Sequence, residues 1–142
     1  MEHAFWDTSS LVPLCIRQRP SAAVQRLISN YRLVVWWSTP LEMRGAFSRL
    51  LRTGELTAAE HNKANNALAL LRLSWREMEP TEKLRARAES LLNLFPLKAA
   101  DSLQLAAALA WCVDRPQGRP FISGDKQLLT AASQLGFHAI LA

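Results

Sequence analysis

Short apolar runs alternate along this chain with longer segments of helical periodicity, and this alternation restricts the fold more than any other feature. Runs rich in β-branched and aromatic residues predict buried strands at residues 3–6, 33–37 and 120–123. Residues 75–78 and 137–141 indicate two shorter strands. Because helical segments separate these runs, we expect one domain over residues 1–142, a three-layer α/β/α fold with a mostly parallel central sheet.

Capping residues indicate where several helices begin. Thr39 as N-cap, Pro40 at the first helical position and Glu42 at the third predict a capping box, and Thr57 with Glu60 predicts a second one. The remaining periodic segments predict helices at residues 81–94, 98–112 and 127–135.

The first helix is expected to follow Thr8, Ser9 and Ser10, whose hydroxyls are suited to cap it. Pro13 is tolerated in a helix only near the first turn, because it has no backbone N–H to donate. Residues 17–20 are expected to end this helix, and the next helix is predicted at residues 21–28.

The composition is that of a chain that folds around a core. It has 142 residues, of which 49% are hydrophobic and 20% charged. No run reaches the ~18 to 20 apolar residues that span a bilayer. Glu2 and Asp7 stand where a signal peptide needs a basic and then an apolar stretch. We therefore expect a cytosolic protein.

Both cysteines and several of the tryptophans are expected to pack in the core. Cys15 and Cys112 are isolated, so we expect reduced, buried thiols, and the three histidines form no zinc-ligand pattern with them. Trp36 and Trp37 are adjacent, so they face opposite sides of a strand and at least one belongs to the core. Trp75 and Trp111 are also interpreted as packing residues rather than base-stacking ones.

The net charge is +5, and arginine is far commoner than lysine. A planar guanidinium suits phosphate, so an anionic partner such as nucleic acid is one interpretation. The other is that the arginines only solvate helix faces, and the charge alone does not decide between them. The candidate contacts to nucleic-acid phosphates are Arg17, Arg19, Arg44, Arg49 and Lys126.

The helix predicted at residues 98–112 is almost entirely Ala and Leu, and its one carboxylate, Asp101, lies in the first turn. Taken alone, Asp101 is interpreted as an N-terminal cap. In parallel β-α units, however, strands end and crossover helices begin at one edge of the sheet. Asp7 ends the first strand, Asp125 follows the fourth, and Glu42 opens the helix after the second. All four acids are therefore expected at the edge where open α/β sheets bind ligands.

Carboxylates that crowd together repel one another unless a cation offsets their charge. Oxygen ligands without His or Cys indicate Mg²⁺ or Mn²⁺ rather than zinc. In a basic protein, such a site suits metal-assisted hydrolysis of phosphodiester bonds.

Four motifs in order resemble those of PIN-domain ribonucleases, and the likeness covers nearly the whole chain. They are residues 5–12 (FWDTSSLV), the helix of Glu42 with Arg49, Leu50 and Gly54, residues 99–108 (AADSLQLAAA) and residues 121–125 (FISGD). The chain is most similar to VapC, the toxin of bacterial and archaeal type II toxin–antitoxin pairs.

This resemblance implies a PIN-like α/β/α fold with an acidic, Mg²⁺- or Mn²⁺-dependent endoribonuclease site. Asp7 and Asp101 would be the main metal ligands, Asp125 would join them or hold a water of the metal, and Glu42 would complete the catalytic cluster. Ser9 and Ser123 would be supporting hydroxyls. Cleavage would leave a 5′-phosphate. The resemblance also implies a homodimer and inhibition by a cognate VapB-like antitoxin.

Two residues depart from the family pattern without removing a metal ligand. Pro13 stands where Lys is common, and Gln104 stands where many members have His. Other classes fit less well. A dehalogenase-type phosphatase needs Asp where Ser9 stands, a dinucleotide-binding domain needs a glycine-rich first turn, and a phosphoacceptor receiver usually pairs acids near its first strand. A PIN-like module that only binds or assembles, without catalysis, stays open.

Overall fold

The computed structural model describes residues 1–16 and 21–142, and this part of the chain contains five strands and seven helices. The strands are β1 (Glu2–Trp6), β2 (Tyr31–Trp36), β3 (Arg76–Met78), β4 (Pro120–Ser123) and β5 (His138–Leu141). The helices are α1 (Thr8–Ile16), α2 (Ala22–Asn30), α3 (Thr39–Arg52), α4 (Ala58–Arg72), α5 (Glu82–Leu94), α6 (Ala99–Trp111) and α7 (Lys126–Leu135). The helix break predicted at residues 17–20 lies outside the described residues.

The strands form one sheet in the order β3-β2-β1-β4-β5, and every neighbouring pair is parallel. The chain adds β2 and β3 on one side of β1 and then crosses to the other side for β4 and β5. The direction of winding thus reverses between β1 and β4. In open parallel sheets, this reversal leaves a crevice at the carboxyl ends of the two strands, where ligands bind.

Each face of the sheet is covered by its own group of helices, because alternate strand residues point to opposite sides. Phe5, Val34 and Phe121 belong to a core with buried residues of α5, α6 and α7. Trp6 and Val35 belong to a second core with buried residues of α1, α3 and α4. The predicted three-layer α/β/α architecture is therefore confirmed.

Helix α6 is the most deeply seated element around the site. Eight of its 13 residues are buried, and five of these eight are Leu or Ala. The small alanine side chains let the helix lie close to the sheet, and their burial removes them from water. The first turn of α6, which carries Asp101, is therefore held by the core.

The capping box predicted for Thr39 and Glu42 is wrong. Thr39 is the first residue of α3, Ser38 precedes it in an α-helical conformation, and no side chain caps this helix. The Ser38 hydroxyl donates instead to Glu42 Oε2 (2.7 Å), and the Thr39 hydroxyl accepts from Gln104 (3.3 Å). Both hydroxyls are thus used between side chains. The box predicted for Thr57 and Glu60 is confirmed.

Helix α1 begins earlier than predicted, at Thr8, so Thr8, Ser9 and Ser10 form its first turn rather than preceding it. Pro13 is the sixth residue of this helix, beyond the first turn where a proline costs little. The buried side chains of Leu11 and Cys15 hold the helix on the sheet despite the missing N–H.

The predictions for isolated core residues are confirmed. Cys15 and Cys112 are free and buried. Trp36 is buried whereas 49% of Trp37 is exposed, and the guanidinium of Arg119 lies 4.3 Å from the ring centroid of buried Trp111. Within the described residues, no helix is both long enough and apolar enough to cross a membrane.

We expect Leu105→Ala to lower the free energy of unfolding by about 2–5 kcal/mol, because the side chain of Leu105 in α6 is completely buried and its removal leaves a cavity. Leu73→Ala makes the same chemical change at a side chain that is 84% exposed, and should cost less than about 0.5 kcal/mol. Urea denaturation of both variants measures the difference. Equal losses would contradict the assigned core.

Candidate active site

The structure places all four predicted acids at the carboxyl edge of the sheet. Asp7 follows β1 directly, and its backbone N–H donates to the carbonyl of Ile122 on β4 (3.1 Å). Asp125 precedes α7, just beyond β4. Glu42 and Asp101 lie in the first turns of α3 and α6.

Asp7 is buried and is held by a chain of hydrogen bonds that joins β1 to β4. The Ser9 hydroxyl donates to the Asp7 carboxylate (2.8 Å to Oδ1), and its oxygen lies 3.2 Å from the hydroxyl oxygen of Ser123. The backbone N–H groups of Gly124 and Asp125 donate to Ser9 Oγ and Ser123 Oγ (both 2.9 Å). The two serines predicted as supporting hydroxyls are thus brought together beside Asp7.

Gly124 lies next to Ser9. A Cβ at this position would lie 3.4 Å from both the carbonyl oxygen and the hydroxyl of Ser9. Gly124 therefore packs against the first turn of α1.

Burial raises the pKa of Asp7 from its ordinary value of 3.8 to about 6, although hydrogen bonds from Ser9 and Ser123 oppose the shift. An ionised carboxylate that is removed from water lowers its energy by binding a proton or a cation. At neutral pH, where the proton is lost, Asp7 favours a cation.

Gln104, the sixth residue of α6, links this helix to the first turns of α1 and α3. Its Nε2 lies 3.0 Å from Thr8 Oγ1, 3.3 Å from Thr39 Oγ1 and 3.3 Å from Glu42 Oε2, so its two hydrogens are shared among three acceptors. Gln104 Oε1 is buried and has no hydrogen-bond partner within the described chain. The amide therefore fixes Glu42 relative to α1 and leaves one oxygen without a donor.

Three of the four carboxyl groups at this edge, those of Glu42, Asp101 and Asp125, interact through their charges. Burial raises the pKa of Glu42, and the charge of Asp101 adds to the shift. Burial likewise raises the pKa of Asp101, and the charge of Asp125 adds to it, while Lys98 offsets a smaller part. Asp101 thus lies within electrostatic reach of both Glu42 and Asp125.

Asp125 is an N-cap, as its position in the sequence allows, but this role occupies only one oxygen. Asp125 Oδ1 accepts from the backbone N–H groups of Gln127 (2.9 Å) and Leu128 (3.3 Å). Asp101 is not an N-cap, because Lys98 holds that position in α6. Asp125 is therefore the cap of its helix, whereas Asp101 lies at the third helical position of α6, where the backbone of Lys98 lowers its pKa by a hydrogen bond.

The donor set fits a hard divalent cation. It consists of carboxylate oxygens, among them those of Asp101, whose pKa is raised by burial and by the charge of Asp125, together with the buried, unpartnered Gln104 Oε1. Among the described residues, no three His, Cys, Asp or Glu side chains are close enough to hold one ion together. Mg²⁺ is commonly held by only one or two carboxylates and keeps several waters, so the separation of these acids is compatible with it.

The cations predicted to contact RNA lie in different places. Arg44 and Lys126 are exposed, Arg44 in the second turn of α3, two residues after Glu42, and Lys126 in the first turn of α7, next to Asp125. Arg49 lies in the last turn of α3, seven residues beyond Glu42, which is roughly 10 Å along a helix axis and away from the edge. Arg17 and Arg19 lie outside the described residues.

Sequence reasoning missed most of the polar residues that support Glu42. Ser38, Thr8 and Thr39 all hydrogen-bond within this network, and Gln104 was noted only as a departure from a family pattern. The one available signal was the spacing of Ser38 and Glu42, which are four residues apart and so lie on one face of a helix turn.

The all-parallel sheet between two helix layers, with its acidic edge, defines a three-layer PIN-like fold. Among solved structures, FitAcB from Neisseria gonorrhoeae is similar to this chain, with a TM-score of 0.62 and 17% identity over 96% of each chain. No protein-family model matches the sequence, and no curated protein matches it. At this identity the structural likeness shows the fold alone.

The raised pKa of Asp7 predicts a pH-dependent penalty in the metal-free protein. Below about pH 4, Asp7 is protonated in the folded and the unfolded chain alike. As the pH rises to about 6, the unfolded chain loses its proton first, so the free energy of unfolding falls and stays lower above that pH. We expect Asp7→Asn to raise the free energy of unfolding by about 1–2 kcal/mol at neutral pH in EDTA, and by less near pH 4.5.

Urea denaturation at the two pH values checks this. Asp114→Asn is the matched control, because the side chain of Asp114 is 59% exposed. A variant at Asp7 that is less stable than the wild type at neutral pH would contradict the assigned burial.

Proposed function

We propose that this protein is a Mg²⁺- or Mn²⁺-dependent endoribonuclease that acts as the toxin of a type II, VapBC-like toxin–antitoxin pair. The observation that carries the proposal is the gathering of Asp7, Glu42, Asp101 and Asp125 at the carboxyl edge of a PIN-like sheet. Burial raises the pKa values of Asp7, Glu42 and Asp101 there, and the charge of a neighbouring acid adds to the shift at Glu42 and at Asp101. Among the described residues, none of these carboxylates forms an ion pair with a basic side chain. This negative charge, of which Lys98 offsets only a part at Asp101, supports a divalent cation as the partner of the acids.

In this proposal the four acids have different roles. Asp7 and Asp101 hold the cation, the first from the end of β1 and the second from the buried helix α6. Asp125 would act through a water, with the oxygen that its capping bonds leave aside, because no three acids among the described residues are close enough to hold one ion together. Glu42, held by Ser38 and Gln104, completes the negative field at the edge of the site.

When bound, a divalent cation would lower the pKa of a water molecule and neutralise charge on the phosphate under attack. The protein keeps the carboxylates in place for this chemistry. Ser123 and Ser9 orient Asp7, and the core fixes α6, so little rearrangement is needed when substrate arrives. The positive net charge of +5 favours binding of the RNA backbone around the acidic crevice.

The biological role rests on the motif resemblance, which implies a cognate VapB-like antitoxin that covers the acidic crevice, a homodimer, and action on cytoplasmic RNA. The similarity in fold to FitAcB supports the PIN-like framework for this role. The alternative is a PIN-like module that binds or assembles without catalysis. The presence of all four acids, each positioned by its own element, favours the enzyme.

We expect the purified protein to cleave RNA with Mg²⁺ or Mn²⁺ and to be inactive in EDTA. Asp101→Asn and Asp7→Asn should each lower the cleavage rate about 100-fold or more, because each removes charge at the proposed cation site. Asp114→Asn, an exposed acid away from this edge, should retain wild-type activity. The assay follows cleavage of a total RNA preparation and of labelled oligonucleotides.

Cleavage that persists in EDTA, or full activity of either variant, would refute the mechanism. Absence of both cleavage and growth arrest, with well-folded protein and added metal, would favour the binding module instead.

A further inference from the structure

A groove with a volume of about 290 Å³ opens beside the acidic edge, where β2 leads into α3. Its walls include Trp37, Leu41, Arg44 and Arg72, and we call it the Trp37 groove. The role of the acidic site does not account for this combination of an exposed aromatic ring and two guanidinium groups.

Trp37 is held firmly but left in contact with water. Its ring meets that of Trp36 edge-on, with centroids 6.5 Å apart and an angle of 66°, and Trp36 is buried in the core. Even so, 49% of Trp37 is exposed, and Leu41 beside it is 72% exposed. A fixed aromatic ring with a free surface is suited to stack on a planar ligand.

The groove also carries positive charge. Arg44 donates to the neutral amide oxygen of Asn65 (2.9 Å), and within the described residues neither Arg44 nor Arg72 forms an ion pair. The one carboxylate that lines the groove, Glu77, accepts from Trp75 Nε1 (3.2 Å). The two guanidinium groups therefore exceed the negative charge present and remain available to phosphate.

The groove is continuous with the acidic site. Ser38 lines the groove and donates to Glu42 Oε2 (2.7 Å). Trp37 follows β2, which pairs directly with β1, the strand that ends at Asp7. Neighbouring strands are ~5 Å apart, so the groove begins within one or two strand spacings of the acids.

We propose that the Trp37 groove binds one unpaired nucleotide of single-stranded RNA next to the bond that is cut. The base stacks on Trp37, and the adjoining phosphate binds Arg44 and Arg72. An unpaired base can present its face to an aromatic ring, whereas a base in a duplex is already stacked on both sides. This inference rests on the proposed ribonuclease function and specifies its substrate as single-stranded.

The test measures the affinity of labelled ten-nucleotide RNAs of mixed sequence, single-stranded and as duplexes, for the full chain carrying Asp101→Asn to prevent cleavage. We expect Trp37→Ala to weaken binding of the single strand about tenfold and Trp37→Phe to weaken it less than about threefold. Arg72→Ala should weaken binding and reduce the slope of log affinity against log salt by about one. Arg52→Ala is the matched control, an exposed arginine in the last turn of α3 that does not line the groove, and should leave affinity unchanged.

Unchanged affinity in Trp37→Ala and Arg72→Ala would overturn the proposal, and so would equal weakening of single strand and duplex by Trp37→Ala. If Trp37→Ala alters the oligomeric state in light scattering and leaves RNA affinity intact, the groove is a contact between copies of this chain and the proposal is wrong. Thermal melting shows whether each variant is folded. If Trp37→Ala is unfolded, the RNA affinity of Trp37→Phe decides. Failure of the ribonuclease function shows separately, as lack of metal-dependent cleavage by the wild type.

Discussion

Parallel pairing of β1 with both β2 and β4 is the constraint on which the other features of this molecule depend. It brings the carboxyl ends of three strands to one edge and makes the chain reverse its winding beside Asp7. The crossover helices then begin at the same edge, so Glu42 and Asp101 face the residues that follow β1 and β4. The crevice is thus a product of topology, and the side chains only define its chemistry.

Burying carboxylates and placing them near one another costs electrostatic free energy. Asp7 is buried with a pKa of about 6, and Asp101 is destabilised by the charge of Asp125. Hydrogen bonds from Ser9 and Ser123 offset part of the cost at Asp7, and the packing of α6 holds Asp101 in place. Strain of this kind is usual where a protein positions groups for a ligand that neutralises them.

The fold and the position of the acids could be predicted because both follow from local pattern and chain direction. Apolar runs define the strands, and the common direction of parallel strands then places Asp7 and Asp125 at the same edge. The partners of Glu42 could not be predicted, because the contact from Gln104 depends on how far α6 is displaced along its axis relative to α1 and α3. The start of α3 could not be predicted either, because the hydroxyls of Ser38 and Thr39 form hydrogen bonds with side chains and do not cap the helix. The sequence indicated that Trp36 or Trp37 is buried, but only tertiary packing decides which.

The central claim is that the carboxylates between β1 and β4 form a site for a divalent cation. Anomalous diffraction from crystals of the wild-type protein grown with Mn²⁺ tests it most directly. The account predicts a manganese peak within coordinating distance of Asp101 and of at least one of Asp7 and Asp125. Manganese bound only at other carboxylates, such as the exposed Asp114, or absent from all four acids, would contradict it.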